Sequence, residues 1–302
     1  MKFNKYILFA ILAAVLYAVS TPISKLILDT LSPVYIASLL YLGAGIGMGI
    51  IAIIRKKMQI ANYKPFTSKE LPAIIGMIVL DIIAPILLMI GLSTSQPENV
   101  ALLNNFEIVA TSLFAVFLFK EIITKRLWLA IFFVTTASFL LSFGDLDAFK
   151  FSTGSLFVIL AALSWGLENN LTRRLSLNDP LMVVVIKGVF SGLGSLMIAL
   201  ILKEVIFDFK YILLTLLLGF VAYGLSIFLY VTAQKELGAS KTSAFYAFAP
   251  FVGAFISLII FLDVPQITFY PAVILMGIGS FYASTTGKKS LKIKGEANEK
   301  TN

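Results

Sequence analysis

The chain has 302 residues, of which 59% are hydrophobic and 13% are charged, and its formal net charge is +8. About a quarter of the residues in a soluble domain are charged, so this composition excludes a soluble fold and indicates an integral membrane protein. The chain contains no Cys and no His, which excludes disulfides, zinc sites and catalysis by Ser-His or Cys-His pairs. It also lacks a Walker phosphate-binding motif. We therefore expect no cofactor, no metal site and no catalytic residues.

Ten apolar segments have close to the ~20 residues that a membrane-spanning helix needs. Turn-forming Pro, Gly and Asn residues separate them. The first segment follows a short charged N-terminus, as in a signal peptide, but it lacks a clear small-residue cleavage site, so we expect a retained helix. In chain order the segments are 6–27, 33–54, 72–92, 98–119, 126–143, 153–172, 181–202, 211–233, 242–262 and 268–286.

Lys and Arg are distributed unequally between the two sides of the membrane that this threading predicts. Nineteen lie on the side of the N-terminus, the 55–71 and 120–126 loops and the C-terminal tail, whereas the other side has four: Lys25, Lys150, Lys203 and Lys210. Because cytoplasmic loops are rich in Lys and Arg, we expect both termini in the cytoplasm and the protein in the plasma membrane. The basic tail suits anionic membrane lipid better than nucleic acid, so we expect no nucleic-acid partner.

The second half of the chain resembles the first half. At an offset of 148, residues 11–14 and residues 159–162 have the same Ile-Leu-Ala-Ala sequence. The same offset places Tyr17 on Trp165. Each half has five predicted helices, an odd number, so the second half should enter the membrane in the opposite direction. We predict an all-α integral membrane protein with ten transmembrane helices in a 5+5 inverted-topology repeat. Its parts are a first five-helix repeat at 1–148, a second at 149–287, and a basic cytoplasmic tail at 288–302.

Polar residues line one face of two predicted helices. In the sixth helix, four of them recur at positions i, i+3, i+4 and i+7 and so share a face: Trp165, Glu168, Asn169 and Thr172. In the fourth helix, a similar face is formed by Asn104, Glu107 and Thr111. Carboxylates and amides are costly in lipid, so these faces should line a central cavity. The alternative is a hydrogen-bond network that only packs the helix bundle.

Asp81 and Lys187 are the other ionisable residues well inside the predicted spans. Asp81 could carry a proton or serve as the counter-ion of a substrate, or it could pair with Lys187 in a buried salt bridge. Lys187 could instead extend towards the membrane interface. Glu168 could likewise pair with Arg173 or Arg174 at the end of its helix. The sequence leaves these alternatives open.

Proline, glycine and aromatic residues suggest where the helices bend, pack and bind. Pro22 is predicted to bend the first helix and Pro250 to interrupt the ninth. We interpret the glycine-rich runs at 43–49 and 188–194 as seams where helices pack closely. Five aromatic residues could form a wall for stacking or cation-π contacts with a substrate: Tyr17, Trp165, Tyr223, Tyr230 and Tyr246.

Together these features resemble the EamA family of the drug/metabolite transporter superfamily. The shared features are the chain length, ten helices in a 5+5 inverted repeat, a short first loop, and an acid at the end of the fourth helix of each half, Glu121 and Asp263. The 165–174 stretch resembles one bacterial branch of the family. The resemblance implies a multispanning exporter or importer that holds a small metabolite in a central cavity between the halves.

We therefore predict a secondary-active membrane transporter, an exporter of a small organic metabolite such as an amino acid or a cationic drug-like compound. It would work by alternating access, coupled to protons. The alternatives are a gradient-independent facilitator or exchanger, a polytopic membrane enzyme, and a non-transporting scaffold with fully paired interior polar groups. Without His, a proton must be carried by a carboxylate: Asp81, Glu107 or Glu168. The candidate substrate-binding residues are Tyr17, Asn104, Glu107, Trp165, Glu168, Asn169 and Tyr246.

Overall fold

The structure is a computed structural model that describes residues 5–58, 66–119, 125–145, 150–175, 179–237, 246 and 248–284. These residues are helical almost throughout. The exception is an antiparallel strand pair, β1 (Phe143–Asp145) with β2 (Lys150–Phe151), which lies at the predicted connection between the halves. The predicted tail at 288–302 and the acid Glu121 lie outside the described residues.

The helices of the first half coincide with the five predicted apolar segments. α1 and α2 together form the first segment, and α5 and α6 together form the fourth. Pro33 starts α3, and the hydroxyl of Ser32 accepts a hydrogen bond from the Tyr35 N–H at 3.3 Å, which is a typical helix start. The helices are α1 (Lys5–Ala18), α2 (Ser20–Ile27), α3 (Pro33–Lys57), α4 (Leu71–Ser93), α5 (Pro97–Leu103), α6 (Phe106–Phe119) and α7 (Lys125–Ser142).

The second half follows the same plan, with two π-helical stretches inserted. Lys187–Ser191 joins α9 to α10, and Phe220–Leu225 joins α11 to α12. Asp179 caps α9 by accepting a hydrogen bond from the Leu181 N–H at 2.8 Å. The helices are α8 (Thr153–Leu175), α9 (Pro180–Ile186), α10 (Gly192–Ile201), α11 (Phe209–Gly219), α12 (Ser226–Leu237), α13 (Ala249–Phe261) and α14 (Phe269–Ser284).

Within the described residues, seven segments are long and apolar enough to cross a membrane, and α13 and α14 are shorter apolar helices. α8 has a similar length, but the polar residues at 168–170 make its C-terminal part less apolar. All ten predicted segments therefore contain a helix, and the all-α prediction is confirmed apart from the short strand pair. Two points stay predictions: that all ten segments cross the membrane, and that the two halves have opposite orientations.

The first and fourth segments are interrupted near their middle. Pro22 lacks the N–H that would bond the carbonyl of Ala18, and α1 ends at Ala18, close to the predicted bend. The break in the fourth segment was not expected from the sequence. It lies at Asn104 and Asn105, where the N–H of Glu107 bonds the carbonyl of Asn104 at 3.1 Å, three residues back instead of four. Discontinuous helices mark binding sites in membrane transporters.

The ninth segment begins differently from its prediction. α13 starts at Ala249, so Pro250 lies in its first turn, where a missing N–H costs no helical hydrogen bond. Tyr246, just before α13, is also helical, and the part of the segment before it lies outside the described residues. At an offset of 142, this start lies one residue from the start of α6 at Phe106. α6 and α13 thus start at nearly equivalent positions of the two halves.

Glycines bring the halves into backbone contact. A Cβ atom on Gly45 would lie 2.4 Å from the backbone N of Val189, and one on Gly188 would lie 2.3 Å from the N of Gly45. A Cβ atom on Gly43 or on Gly219 would lie 2.0 Å from a carbonyl oxygen of the facing helix. The glycine-rich runs are therefore packing seams, as predicted. The two runs occupy similar positions in their halves, and they pack against each other at the centre of the bundle.

Gly219→Ala is expected to destabilise the protein by about 1–3 kcal/mol, because overpacking at a backbone contact forces helices apart. The new Cβ would lie 2.0 Å from the carbonyl oxygen of Leu40. Gly277→Ala in α14 is a matched control, since no atom lies within 4 Å of its Cβ position and Ala favours a helix by about 1 kcal/mol over Gly. Thermal unfolding in detergent measures both. Equal melting temperatures for the two variants would contradict the close packing of Gly219 against Leu40.

Lys25 ties the first segment to the end of the third. Its Nζ donates to the carbonyl oxygens of Leu92 at 2.7 Å, Ser93 at 3.2 Å and Ser95 at 3.0 Å. The last carbonyls of a helix have no helical donor and lie at the negative end of the helix dipole, so a cation is favoured there. Lys25 thus holds α2 against the C-terminal end of α4. Asp81 lies near the middle of α4.

Candidate functional site

A buried cluster of three charged side chains lies between the two halves. Lys187 Nζ lies 3.3 Å from Asp81 Oδ2 and 3.1 Å from Glu168 Oε1. Asp81 is 0%, Glu168 1% and Lys187 7% exposed. α4 supplies one acid, α8 supplies the other, and the lysine begins the π-helical stretch between α9 and α10. Asp81, Glu168 and Lys187 are called the charged cluster below.

Hydroxyl and indole groups extend the charged cluster. The Tyr41 hydroxyl donates to Asp81 Oδ1 at 2.8 Å, and Trp165 Nε1 donates to the Tyr41 hydroxyl at 3.2 Å. The Thr172 hydroxyl donates to Glu168 Oε1. The polar face predicted for α8 therefore turns into the protein, since Trp165, Glu168 and Thr172 all contact this network. A carboxylate without such donors would be costly at this depth.

Glu107 forms a second polar group one helix away. Asn169 Nδ2 donates to Glu107 Oε1 at 2.5 Å and to the Thr111 hydroxyl at 3.4 Å. Asn170 Nδ2 donates to the carbonyl oxygens of Thr111 at 3.1 Å and of Gly166 at 2.8 Å. Gly166 lets α6 and α8 approach closely, because a Cβ there would lie 2.4 Å from the Ala110 side chain. Glu107 is half-buried and interacts electrostatically with Glu168 and Lys187.

A group of tyrosine side chains adjoins the charged cluster through Tyr41. Tyr41 hydrogen-bonds the cluster and packs against Tyr223, with ring centroids 5.4 Å apart. Tyr17 lies 5.9 Å from both Tyr223 and Tyr246, and Tyr230 lies 4.8 Å from Tyr246. These five residues are called the tyrosine cluster below. Asn104 Nδ2, at the break in the fourth segment, donates to the Tyr17 hydroxyl at 2.8 Å.

The duplication of the chain relates the two sides of the site. Residues of the charged or amide side have hydroxyl or aromatic residues at the equivalent positions of the other half. The matched pairs are Asp81 with Tyr223 and Asn104 with Tyr246 at an offset of 142, and Trp165 with Tyr17 and Glu168 with Ser20 at an offset of 148. Two similar halves thus build one site with chemically different walls.

Three buried carboxylate and amide oxygens of the site have no hydrogen-bond partner among the described residues: Asp81 Oδ2, Glu168 Oε2 and Asn104 Oδ1. Asp81 Oδ2 lies in the ion pair with Lys187, which leaves Glu168 Oε2 and Asn104 Oδ1 without either kind of partner. A buried acceptor without a donor costs about 1–3 kcal/mol, and such atoms often mark a functional position. If the protein were a non-transporting scaffold, all of its interior polar groups should have hydrogen-bond or ion-pair partners. Glu168 Oε2 and Asn104 Oδ1 have none among the described residues.

The structure decides between several alternatives that the sequence left open. Asp81 and Lys187 do form a salt bridge, and Lys187 is buried within the bundle instead of extending to the interface. Glu168 pairs with Lys187; the side chains of Arg173 and Arg174, its alternative partners, lie outside the described part of the chain.

Every predicted substrate-binding residue lies in this region. Glu107 contacts Asn169. Tyr17 is contacted by both Asn104 and Tyr246. Trp165 and Glu168 belong to the network around the charged cluster. Sequence reasoning missed Tyr41, which joins the charged cluster to the tyrosine cluster, and the Glu168–Lys187 pair. A tyrosine in an apolar helix, two residues before a glycine-rich run, was the available signal for Tyr41.

Apolar helices of spanning length around a buried charged site between two similar halves define a multi-pass membrane transporter. The chain belongs to the EamA-like transporter family, whose family model matches residues 4–143 and again residues 152–285. The resemblance noted in the sequence is thereby confirmed. Membership in this family indicates a transporter rather than an enzyme.

Individual proteins support this assignment. An uncharacterized transporter from Methanothermobacter thermautotrophicus (strain ATCC 29096 / DSM 1053 / JCM 10044 / NBRC 100330 / Delta H) is 27% identical over 297 residues, covering 92% of this chain and 85% of the relative. A protein of known crystal structure matches with a TM-score of 0.68 at 15% identity, covering 99% of each chain. The second likeness concerns the fold alone.

Proposed function

We propose that this protein is a secondary-active exporter of a small organic metabolite that carries an amino or other cationic group, such as an amino acid or a cationic drug-like compound. The observation that carries the proposal is the charge balance of the site. Among its described residues, two buried acids hold a single cation, Lys187, a third acid, Glu107, lies half-buried on a neighbouring helix, and the buried Glu168 Oε2 has no donor. A substrate ammonium would supply the missing donor and charge.

The tyrosine cluster suits the remainder of such a substrate. Aromatic rings offer stacking surfaces and cation-π contacts, and five of them lie within one ring-to-ring chain. We infer that the cationic group binds on the charged side and the apolar body on the tyrosine side. The residues proposed to contact substrate are Tyr17, Asn104, Glu107, Trp165, Glu168, Asn169 and Tyr246.

The proposed mechanism is alternating access around this site. The site lies between the halves, next to the breaks at Ala18 and Asn104 and the two π-helical stretches. Irregular helical positions can change geometry at lower cost than regular helix, and transporters use them at their binding sites. We further propose that both termini lie in the cytoplasm, that the protein lies in the plasma membrane, and that residues 1–148 and 149–287 are the two repeats.

Proton coupling would use the acids of the site, because the chain has no His. Asp81, Glu107 and Glu168 are the candidates. Glu107 is the most accessible of the three, since Asp81 and Glu168 are buried and hold Lys187. A gradient-independent exchanger is the second candidate function. It is favoured by Lys187 itself, which already neutralises one carboxylate in the site and so reduces the need for a proton.

Reconstitution in proteoliposomes tests the proposed function. A panel of amines, amino acids and anionic metabolites would be measured for uptake and efflux, with and without a pH gradient. We expect movement of compounds that carry an amino or cationic group and accumulation against their gradient when protons flow the other way. Liposomes without protein, and liposomes treated with a proton ionophore, are the controls. Exchange without accumulation would favour the exchanger, and movement of anions alone would overturn the cationic substrate.

A further inference from the structure

The two acids of the charged cluster differ in how fully their oxygens are used. Asp81 Oδ1 accepts from Tyr41, and Asp81 Oδ2 lies 3.3 Å from Lys187 Nζ in an ion pair without a hydrogen bond. Glu168 Oε1 contacts both Lys187 and Thr172, whereas Glu168 Oε2 is buried without a partner among the described residues. Within the described cluster, only Glu168 Oε2 has neither a hydrogen bond nor an ion pair.

The ammonium of Lys187 lies between the two acids of the charged cluster. Its ammonium is at the end of a flexible four-carbon chain and lies 3.1 Å from one acid and 3.3 Å from the other. It is also the first residue of the π-helical stretch Lys187–Ser191, an element that transporters and enzymes frequently place at functional positions. In this conformation Gly188 packs directly against Gly45 behind it. A shift of the ammonium between the two acids therefore requires movement of the lysine side chain and not of the helix backbone.

We propose that Lys187 determines specificity by acting as a tethered cation. In the empty site its ammonium occupies the place on Glu168 that the amino group of a substrate takes, and it stays on Asp81 when the substrate is bound. This inference rests on the proposed function, in which the substrate is cationic. A compound without a positive charge cannot replace the lysine, because it would leave Glu168 ionised and unpaired in a buried place.

The tethered cation also explains how the empty transporter can change conformation. Without Lys187, departure of the substrate would leave two buried carboxylates close together and uncompensated. With Lys187, Glu168 regains a partner as soon as the substrate leaves. The same lysine thus competes with the substrate and protects the empty site.

Binding measurements on purified protein test this inference with two probes that share a phenyl ring. Phenethylamine is a cation, and phenylalanine is a zwitterion with an added carboxylate. The variants are Lys187→Arg and the double variant Asp81→Asn/Lys187→Met, which removes one positive and one negative charge and so keeps the net charge of the site. Size-exclusion chromatography shows whether each variant is folded.

The competing lysine predicts opposite changes in the two variants. The double variant should bind phenethylamine about tenfold more tightly than the wild type, because Glu168 has lost its internal partner. Lys187→Arg should bind it about threefold more weakly, because a guanidinium can pair with both carboxylates through several fixed donors. If the double variant does not fold, the weaker binding by Lys187→Arg still tests the inference.

Other results separate this inference from the function on which it rests. If the double variant binds phenethylamine no more tightly than the wild type but loses phenylalanine, Lys187 contacts the substrate carboxylate and the tethered cation is overturned, while a transporter of amino compounds stands. If neither probe binds to the wild type or to any folded variant, both this inference and the proposed cationic substrate fail.

Discussion

Glu168→Gln is expected to weaken the binding of a cationic substrate about 100-fold, as is typical when one partner of a buried charge pair is removed. The amide keeps the shape of the side chain and can still accept from Thr172, so the change is mainly one of charge. Lys187 would remain paired with Asp81. Exchange and gradient-driven uptake should therefore fall together, and both are measured in proteoliposomes at equal protein levels.

Ser164→Ala is a matched control on the same helix. Its hydroxyl hydrogen-bonds the carbonyl of Leu160 in α8 at 2.9 Å, and it lies outside the charged cluster, so transport should stay at the wild-type rate. If the Glu168→Gln variant still exchanges substrate and loses only gradient-driven accumulation, Glu168 carries the coupled proton and does not bind the substrate. Wild-type rates of both processes would show that this carboxylate has no part in transport.

Lys187→Met should cost about 3–5 kcal/mol of stability, because it removes the cation that compensates two buried carboxylates. Asp81 and Glu168 are 0% and 1% exposed, so water cannot replace the lysine in this conformation. Thermal unfolding in detergent, together with the yield of monodisperse protein, measures the loss. The expected result is a melting temperature well below that of the wild type.

The double variant Asp81→Asn/Lys187→Met should recover most of this loss, because its site has the same net charge as the wild type. Lys210→Met is the control for removing a lysine as such, since Lys210 is exposed at the start of α11 and should be replaced without effect. A Lys187→Met protein as stable as Lys210→Met would mean that at least one carboxylate of the cluster is not ionised when the lysine is absent.

The duplication and the helix positions were accessible from the sequence because they depend on local properties. Length and apolarity identify a helix that can lie in lipid, and all ten predicted segments contain one. Pro22 indicated the break at Ala18, since the lost hydrogen bond is a property of the proline itself. The break at Asn104 was not predictable in this way. Its polar residues are equally compatible with a continuous helix, and contacts to Tyr17 and to α14, through Ser280, accompany the break.

By itself, the sequence determined which residues could not face lipid: Asp81, Glu107, Glu168 and Lys187 are too polar for it, whatever surrounds them. Which of them pair was decided only by the tertiary structure. Lys187 could have reached the interface or a single acid, and nothing in its local sequence refers to Glu168. The close contact of Gly188 with Gly45 brings the π-helical stretch against α3, and this packing places the ammonium between the acids of α4 and α8. Electrostatic pairing depends on distances of a few ångström between distant parts of the chain, and only the packed bundle sets those distances.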